Sequence, residues 1–416
     1  AGDVQHDAAP GSPIKLMRDE GGITVTAKGG EVVAENAPKV RIEPAGKLNA
    51  SRAGDGIVVK DMVTGRGFHW YKLIDQTITG ALDFELRGDY IIAVNELPIE
   101  EYMIGVVTSE MGGDCPVEFL KAQAVAARSW LLAQKIDKHP DEPFIWCNDD
   151  HCQRYQGTGG WSQNAVQAIR ECRGEVLITE KDEYCDARYS KNTGGISEDA
   201  SFVWTAEEID GLEARVDAPE GDDTHGFFPV TEDNVEEYIA GAWTETTMAF
   251  GSPNSVSKEE VMRYLGRVDD PDDYFRWKKS YTQENLVESL TKRAKVADLV
   301  EVLDIRCGER GRSGRLARVF VDYLDSKGET KTHELVSEYG IREGLSMRFL
   351  YSSAFLVDLH RDENGKLMSI DLTGAGWGHG AGLCQMGGLA RAIHNQDYKT
   401  IVMAYFSNVR LERIYQ

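Results

Sequence analysis

One glutamate lies where its side chain could act as an acid. Glu110 follows Met103 by seven positions and Val107 by three, so on a helix it falls on the same apolar stripe. It would also lie in the last helical turn, where the helix dipole is negative. Burial and that dipole both disfavour the ionised carboxylate, so we expect a raised pKa and an acid able to donate a proton near neutral pH. Alternatively, the carboxylate reaches the surface past Met111 or pairs with Arg128.

Two thiols and two imidazoles lie close together in a stretch without a helical or strand pattern. They are His139, Cys147, His151 and Cys152. Thiolate sulfur and imidazole nitrogen are ligands that zinc prefers, so the stretch predicts a structural zinc site that would hold a long loop in place. The spacing is not that of a zinc finger. A disulfide between Cys147 and Cys152, or two free thiols beside incidental histidines, would account for the same residues.

A glycine-rich segment lies near the C-terminal end of the sequence. It reads Gly376-Trp-Gly-His-Gly380 and is followed by Gln385. Glycine allows the backbone to approach a ligand closely or to take up positive φ. No Lys-Ser/Thr pair follows, which argues against a phosphate-binding loop, and Trp377 beside His379 suits stacking on a sugar and hydrogen bonding to it. A tight structural turn, with His379 satisfied by backbone groups, is the alternative.

Other function classes receive little support from the sequence. It contains neither a Gly-x-Ser-x-Gly nor a His-Glu-x-x-His motif. Lys and Arg number 46 against 69 Asp and Glu, and the resulting formal charge of −23 disfavours nucleic acid as a partner. No run of 18 or more apolar residues occurs, so no transmembrane segment is predicted.

The elements that must carry these residues indicate an α+β protein. Residues 14–94 show short alternating runs between turn residues, which predicts a β-rich N-terminal domain. Pro98 is expected to begin the helix that contains Glu110, and a second, alanine-rich helix is expected to start near Pro116. Further helices are predicted at about 162–170, 282–303, 383–393 and 398–406, and strands at about 176–178, 187–190, 316–323, 332–336, 354–359 and 367–372.

Shifts in composition divide the chain further. Residues 1–13 have the composition of a linker or a disordered segment. Between residues 206 and 275, acidic clusters dominate and turn residues interrupt every apolar run, which predicts a helical, acidic surface insertion. The core is then expected in two parts, residues 95–205 and residues 276–416.

Three segments carry motifs that occur together in one known family. The first runs from Asn95-Glu-Leu-Pro through Ser109-Glu-Met111 to Lys121-Ala-Gln-Ala-Val-Ala-Ala-Arg128. The second joins His151-Cys-Gln-Arg-Tyr-Gln-Gly157 to Tyr189-Ser-Lys-Asn-Thr-Gly-Gly195, and the third is Gly376-Trp-Gly-His-Gly-Ala-Gly-Leu-Cys-Gln-Met-Gly387. In this order and spacing they resemble the SpoIID/LytB family, whose domains are like stage II sporulation protein D. The resemblance covers about residues 90–205 and 275–410.

The resemblance implies a mixed α/β SpoIID-like core in an exported protein of the bacterial cell envelope that acts on peptidoglycan glycan strands. The sporulation member of the family is a lytic transglycosylase. It cuts between N-acetylmuramic acid and N-acetylglucosamine without water and leaves an anhydro-muramic end, and its catalytic glutamate falls on Glu110. Other members are described as amidase enhancers. The alternative is therefore a non-catalytic module that presents peptidoglycan to a cell-wall amidase.

The resemblance also implies residues that bind. The family's motif lysine and arginine fall on Lys121 and Arg128. Substrate contacts are further expected from the second and third motifs, at Tyr189, Ser190, Trp377, His379 and Gln385. Family members can carry a zinc ion held by Cys and His in the loop after the second helix, and the four candidate ligands match that loop approximately.

Overall fold

Strands make up the N-terminal part of the chain, as its alternating pattern predicts. The structure, a computed structural model, describes residues 4–8, 13–19, 22–27, 32–37, 39–44, 56–65, 71–87, 90–135, 138–204, 209–265, 268 and 273–416. The first nine strands are β1 (Val4–Ala8), β2 (Pro13–Asp19), β3 (Gly22–Ala27), β4 (Val32–Ala37), β5 (Lys39–Pro44), β6 (Ile57–Thr64), β7 (Lys72–Ile78), β8 (Ala81–Arg87) and β9 (Tyr90–Glu96). They form a four-stranded sheet in the order β1-β5-β8-β9 and a five-stranded sheet in the order β4-β3-β2-β6-β7.

The linker expected over residues 1–13 contains a strand. β1 pairs in parallel with β5, with Val4 opposite Val40 and Ala8 opposite Pro44. Residues 1–3 and 9–12 lie outside the described residues. Composition suggested a linker because residues 4–8 are mostly polar, but the hydrogen bonds that join strands are made by the backbone. Residues 4–8 therefore depart from the prediction.

A helical core follows the two N-terminal sheets. Its first elements are α1 (Ile99–Glu110), α2 (Val117–Ala133), α3 (Gln163–Glu171), β10 (Glu175–Thr179), β11 (Tyr189–Ser190) and α4 (Ala200–Trp204). Pro98 and Pro116 directly precede α1 and α2, as the sequence predicts. Every residue of α2 from Phe119 to Leu131 is buried, because α1, α3 and β10 pack against it together with two helices from the end of the chain. This helix is the centre of the core.

The acidic segment between residues 206 and 275 is built from short helices. They are 3₁₀ helices at Asp223–Phe227 and Ala242–Glu245 and the α-helices α5 (Val235–Ala240) and α6 (Lys258–Leu265). Rings of Phe227, Tyr238 and Trp243 pack together, and this small cluster also contacts Ile196 and Ala375 of the flanking chain. Two acidic stretches, residues 206–208 and 269–272, lie outside the described residues.

Two three-stranded sheets form the next part of the chain. Its elements are β12 (Arg276–Thr282), α7 (Gln283–Lys292), β13 (Leu299–Cys307), β14 (Arg318–Asp325), β15 (Thr330–Val336), α8 (Ser337–Leu345), β16 (Phe355–Arg361) and β17 (Leu367–Ala375). The strand orders are β12-β17-β16 and β13-β14-β15, and α7 and α8 pack on them.

The helix predicted over residues 282–303 is too long. α7 ends at Lys292, and β13 begins at Leu299. The core residues Leu299, Val302 and Ile305 are spaced by three, which suggests a helix, but β13 has register irregularities after Leu299 and after Val302. An extra residue at each irregularity turns the alternation of a strand into a spacing of three. The helix prediction for residues 299–303 is therefore wrong.

The end of the chain returns to the helical core. Its elements are β18 (Leu383–Cys384), α9 (Gln385–Ile393), α10 (Tyr398–Tyr405) and β19 (Val409–Arg413). β18 pairs in parallel with β11, β19 pairs antiparallel with β10, and both helices pack on α2. The last part of the chain thus completes the core that α1 and α2 begin. Among the described residues, no helix combines the length and apolar character needed to cross a bilayer.

Candidate active site

Glu110 lies at the C-terminal end of α1 and lines a cleft of about 1500 Å³. Its Oε1 accepts hydrogen bonds from the backbone N–H of Arg154 at 3.2 Å and, at 3.5 Å, from the hydroxyl of Tyr189. Its Oε2 accepts a hydrogen bond from Nε2 of Gln385 at 3.2 Å. These donors come from the second and third motifs of the sequence. The fold therefore brings all three motifs together at one carboxyl group.

Burial raises the pKa of Glu110 above its ordinary value. The charges of Lys191 and Arg154 and the hydrogen bond from Gln385 lower the pKa, but they only partly offset the burial. Nζ of Lys191 also donates to the backbone carbonyl of Glu110 at 3.0 Å. The raised pKa predicted from the apolar stripe is thus present in the structure, and the alternative of a pair with Arg128 is not.

A chain of hydrogen bonds fixes the tyrosine beside Glu110. Nε2 of Gln153 donates to the hydroxyl of Tyr189 at 3.2 Å and to the carbonyl of Ala127, within α2, at 3.1 Å. Ser190 is buried in the cleft wall, and its hydroxyl makes no hydrogen bond to the described part of the chain. The residue expected to contact substrate therefore lies in the cleft wall, with its hydroxyl oxygen enclosed by the protein.

The alternating glycines of the third motif are required by the backbone. Gly376, Gly378, Gly380 and Gly382 have φ of 75°, 98°, 78° and 71°. Residues that carry a Cβ atom rarely adopt positive φ values of this size. Glycine is therefore needed at every second position of the motif. The interpretation of the segment as a tight structural turn is thus correct for its backbone, while Trp377, Gly378 and His379 line the cleft.

Trp377 and His379 are both held by protein groups. The rings of Tyr274 and Tyr351 stack on the Trp377 indole with centroids 4.7 and 5.1 Å away. Nδ1 of His379 accepts a hydrogen bond from the backbone N–H of Ala381 at 3.1 Å. Burial, and to a lesser extent the charge of nearby arginines, lowers the pKa of His379 to about 3. The imidazole is therefore neutral at physiological pH, and its orientation in the cleft wall is fixed.

Lys121 and Arg128 lie outside the cleft. Lys121 forms ion pairs with Glu118 at 2.5 Å and Glu171 at 3.1 Å. Arg128 is fully buried and pairs with Glu100 at 2.7 Å. Substrate contacts were expected at both positions, but the geometry does not bring either residue to Glu110, because both side chains connect elements of the core. Neither residue lines the cleft that contains Glu110.

The four candidate metal ligands come together in the loop after α2. The ligand atoms of His139, Cys147, His151 and Cys152 all lie within 4.8 Å of one another. The two cysteines are not joined by a disulfide, and the hydrogen bond with Cys152 lowers the pKa of Cys147 to about 5. A thiolate is the form of cysteine that binds metal, so this set of donors fits a metal ion of the zinc type. The same loop supplies the Arg154 N–H that binds Glu110.

Sequence reasoning missed several residues of the site. Gln153, Arg154 and Lys191 line the cleft and contact Glu110 or Tyr189, although none of them was singled out. All three lie inside the motif segments that carry the family resemblance, next to residues that were chosen. The motif segments were therefore the sequence signal from which these three residues could have been identified.

The cleft is basic and aromatic, in contrast to the protein's negative overall charge. Among the described residues, eight Lys and Arg but only four Asp and Glu line it. The cations are Lys72, Lys138, Arg154, Arg188, Lys191, Lys279, Arg342 and Arg348, and the aromatic residues are Tyr71, Trp130, Tyr189, Trp204, Tyr281, Tyr339, Phe349, Tyr351 and Trp377. Aromatic faces stack on sugar rings and cations bind carboxylates, so this lining suits an anionic glycan.

Comparison with known proteins gives two family matches along the chain. Residues 87–178 match the model of SpoIID, the Stage II sporulation protein. Residues 198–382 match a domain of unknown function, DUF8618. Glu110 and the metal-ligand cluster lie in the first segment, and Trp377 and His379 lie in the second.

Three relatives show how far the similarity extends. An uncharacterized protein of Brachyspira hyodysenteriae is 26% identical over 380 residues, which is 91% of this chain and 81% of that protein. The Amidase enhancer of Bacillus subtilis is 25% identical over 74% of this chain and 40% of its own length. The Stage II sporulation protein D of Bacillus subtilis is 29% identical over 27% of this chain and 37% of its own length. The resemblance of residues 87–178 to SpoIID, and of the chain to members of the SpoIID/LytB family, is therefore confirmed.

Proposed function

We propose that the cleft binds peptidoglycan glycan strands and that the protein cleaves them as a lytic transglycosylase. The observation that carries the proposal is the position of the half-buried Glu110 carboxyl in the wall of this cleft, where Gln385, Tyr189 and the Arg154 N–H hold it and desolvation raises its pKa. The similarity to Stage II sporulation protein D and Amidase enhancer supports a role at the cell wall. We place this action outside the cytoplasm, in the cell envelope.

In the proposed reaction Glu110 acts twice. Its proton passes to the glycosidic oxygen as the bond to the muramic acid anomeric carbon breaks. The resulting carboxylate is stabilised by its three hydrogen-bond donors and by the charge of Lys191. It then takes the proton of the muramic acid 6-hydroxyl while that oxygen bonds to the anomeric carbon. An anhydro-muramic end forms, Glu110 regains its proton, and no water enters the balance.

We also propose that the Cys/His cluster holds a structural zinc ion. Four protein ligands would close the tetrahedral shell, so the ion would stabilise the loop and supply no open position for catalysis. The loop carries Gln153 and Arg154, so its order is tied to the hydrogen bonds around Tyr189 and Glu110. A zinc hydrolase does not fit a closed site.

A second candidate function is that of an amidase enhancer, which would bind peptidoglycan without cutting it and act with a cell-wall amidase. The match to the protein named Amidase enhancer covers 74% of this chain, against 27% for the match to Stage II sporulation protein D. The longer match favours this candidate, whereas the environment of Glu110 favours catalysis.

Glu110→Gln tests the two candidates against each other. The amide keeps the shape of the side chain and one oxygen acceptor for the surrounding donors, but it has no acidic proton to transfer. We expect strand binding to persist and cleavage to fall by about 10²–10⁴-fold, with anhydro-muramic ends in the products of the unaltered protein by mass spectrometry. Reducing ends would instead indicate a hydrolase. Strand binding without products from either protein, together with stimulation of an added amidase, would establish the enhancer function.

A further inference from the structure

One end of the cleft is built by elements outside the segment that matches SpoIID. Lys279 and Tyr281 lie on β12, Tyr339 lies on α8, and Arg348 and Tyr351 follow α8. All five line the cleft, and we call them the β12–α8 arm. They fall within residues 198–382, which match a domain of unknown function. The arm is thus the contribution of that segment to the cleft.

The charge of the β12–α8 arm is positive. Two acids, Glu288 and Glu338, line this end of the cleft, but Glu288 pairs with Lys292 at 2.7 Å and Glu338 pairs with Arg342 at 3.2 Å. Each of these two ion pairs carries no net charge. The arm itself contributes two cations, Lys279 and Arg348, and no acid.

Lys279 is placed at the cleft by strand geometry. Side chains alternate along a strand, so Lys279 and Tyr281 share one face of β12 with the core residue Trp277, and Lys278 points to the other face. Nζ of Lys279 donates to the hydroxyl of Tyr351 at 3.4 Å and lies 4.6 Å from the centroid of that ring. Tyr351 in turn stacks on Trp377. The cation and the central indole of the cleft are thus joined through one tyrosine.

The backbone is strained at the first residue of α8 and again four residues after its last residue, where the chain borders the cleft. Ser337 and Phe349 have φ of 71° and 61°, which side chains disfavour, and both line the cleft. The Phe349 ring packs against Tyr339 at 4.9 Å and under the guanidinium of Arg342 at 4.5 Å. Such strain persists only where the surroundings enforce it, and it occurs most often at binding sites. The two strained residues lie close in sequence to Tyr339 and Arg348, which both line the cleft.

We propose that the β12–α8 arm binds the carboxylate groups carried by the glycan strand, through Lys279 and Arg348. The proposal rests on the proposed function only in that the cleft takes glycan strands. Carboxylates on a strand have two sources, the lactyl group of muramic acid and the peptide attached to it. Uncharged sugars of the same ring type gain nothing from the arm's cations, so the arm selects muramic acid strands over chitin-like strands.

Three ligands of equal length separate these contributions. Chitooligosaccharides carry the same acetamido sugars without carboxylates, and denuded strands carry lactyl carboxylates. In peptide-bearing strands the lactyl carboxyl is consumed in the amide bond to the peptide, so the carboxylates are those of the peptide. Affinities are measured by calorimetry in the Glu110→Gln background, which prevents turnover. Lys279→Gln and Arg348→Gln are compared with Lys278→Gln, the matched change on the opposite face of β12.

We expect Lys279→Gln and Arg348→Gln each to weaken the binding of carboxylate-bearing strands by about tenfold. The affinity for chitooligosaccharides should stay unchanged. An effect on denuded strands identifies the lactyl group, and an effect confined to peptide-bearing strands identifies the peptide. Equal losses for all three ligands, or no difference from Lys278→Gln, would overturn the proposal. If the variants show this selectivity but the unaltered protein produces no anhydro-muramic ends, the proposed transglycosylase function is wrong. The proposal that the β12–α8 arm binds carboxylates is then still supported.

Discussion

At the residue scale, the charge of Lys191 partly offsets the effect of burial on the pKa of Glu110. This positive charge favours the ionised carboxylate and so lowers the pKa of Glu110 against the effect of burial. Removing the charge in Lys191→Met should raise that pKa further, so the acid stays protonated to higher pH. We expect the alkaline limb of the pH dependence of kcat/KM to move to higher pH, as measured by strand cleavage across pH 5–10.

Lys191→Arg provides the control because it keeps the charge beside Glu110. The alkaline limb should then stay close to that of the unaltered protein, even if the rate falls through altered contact with the Glu110 carbonyl. A limb that moves equally in both variants, or in neither, would show that another group titrates in this range.

Periodicity in the sequence identifies single residues where it decides their surroundings. Glu110 could be found because an apolar stripe predicts burial and hence a raised pKa. The same reasoning cannot separate Lys121 and Arg128 from the cleft, because α2 is buried on every side and helical spacing does not say which side meets a ligand. Gln153 and Lys191 act through contacts with Tyr189 and Glu110 that are distant in sequence, and no local pattern encodes such contacts.

At the element scale, the glycine-rich loop can be tested through its backbone. A Cβ atom on Gly380 would lie 2.1 Å from Cζ of the fully buried Arg315, at a φ of +78°. Gly365 has nearly the same φ, +80°, but open space around it. Gly365→Ala should cost about 1–2 kcal/mol in free energy of unfolding for the backbone alone. Gly380→Ala should cost about 1–3 kcal/mol more, because the core is overpacked.

Urea unfolding of the two variants measures that difference. Arg315 donates hydrogen bonds to the carbonyls of Thr193 and Gly378, so displacing its guanidinium also loosens the loop that carries Trp377. Equal losses of stability for Gly365→Ala and Gly380→Ala would mean that the loop yields without disturbing Arg315.

The metal-ligand loop is the second element open to a direct test. Cys147→Ser removes one soft ligand from the cluster, so we expect loss of bound zinc and a lower Tm, since the proposed ligand bonds would stabilise this loop. Elemental analysis of the purified protein should give close to one zinc per unaltered chain. Cys307→Ser, a change far along the sequence on β13, should keep both the metal and the Tm. Metal-free protein with a Cys147–Cys152 disulfide would contradict the zinc proposal.

Secondary structure is predicted correctly where a single hydrophobic periodicity dominates a segment. The helices after Pro98 and Pro116 are predicted well because the prolines mark their first turns and the apolar spacing is regular. β13 is misread as helix because its irregular register imitates helical spacing. β19 is not predicted, since only its pairing with β10 defines it. A local sequence pattern does not identify the strand with which a segment will pair.

At the scale of the whole molecule, both parts of the chain are needed for a stable core. Without the C-terminal part, β10 lacks β19, β11 lacks β18, and α2 loses the packing of α9 and α10. A fragment of residues 1–204 would expose the apolar surface of α2 and unpaired strand edges. We expect it to show no cooperative thermal transition by circular dichroism, while the full chain unfolds cooperatively. A sharp transition in the fragment would show that the first part folds alone.

The distance in sequence between Glu110 and its amide partner has a consequence for how each molecule is made. Gln385 follows Glu110 by 275 positions. At 5–20 residues per second of synthesis, roughly 15–55 s separate the two residues as they leave the ribosome. Throughout that interval the nascent chain carries the acid group without the amide that holds it in place. The proposed cutting activity is therefore among the last properties that a growing chain acquires.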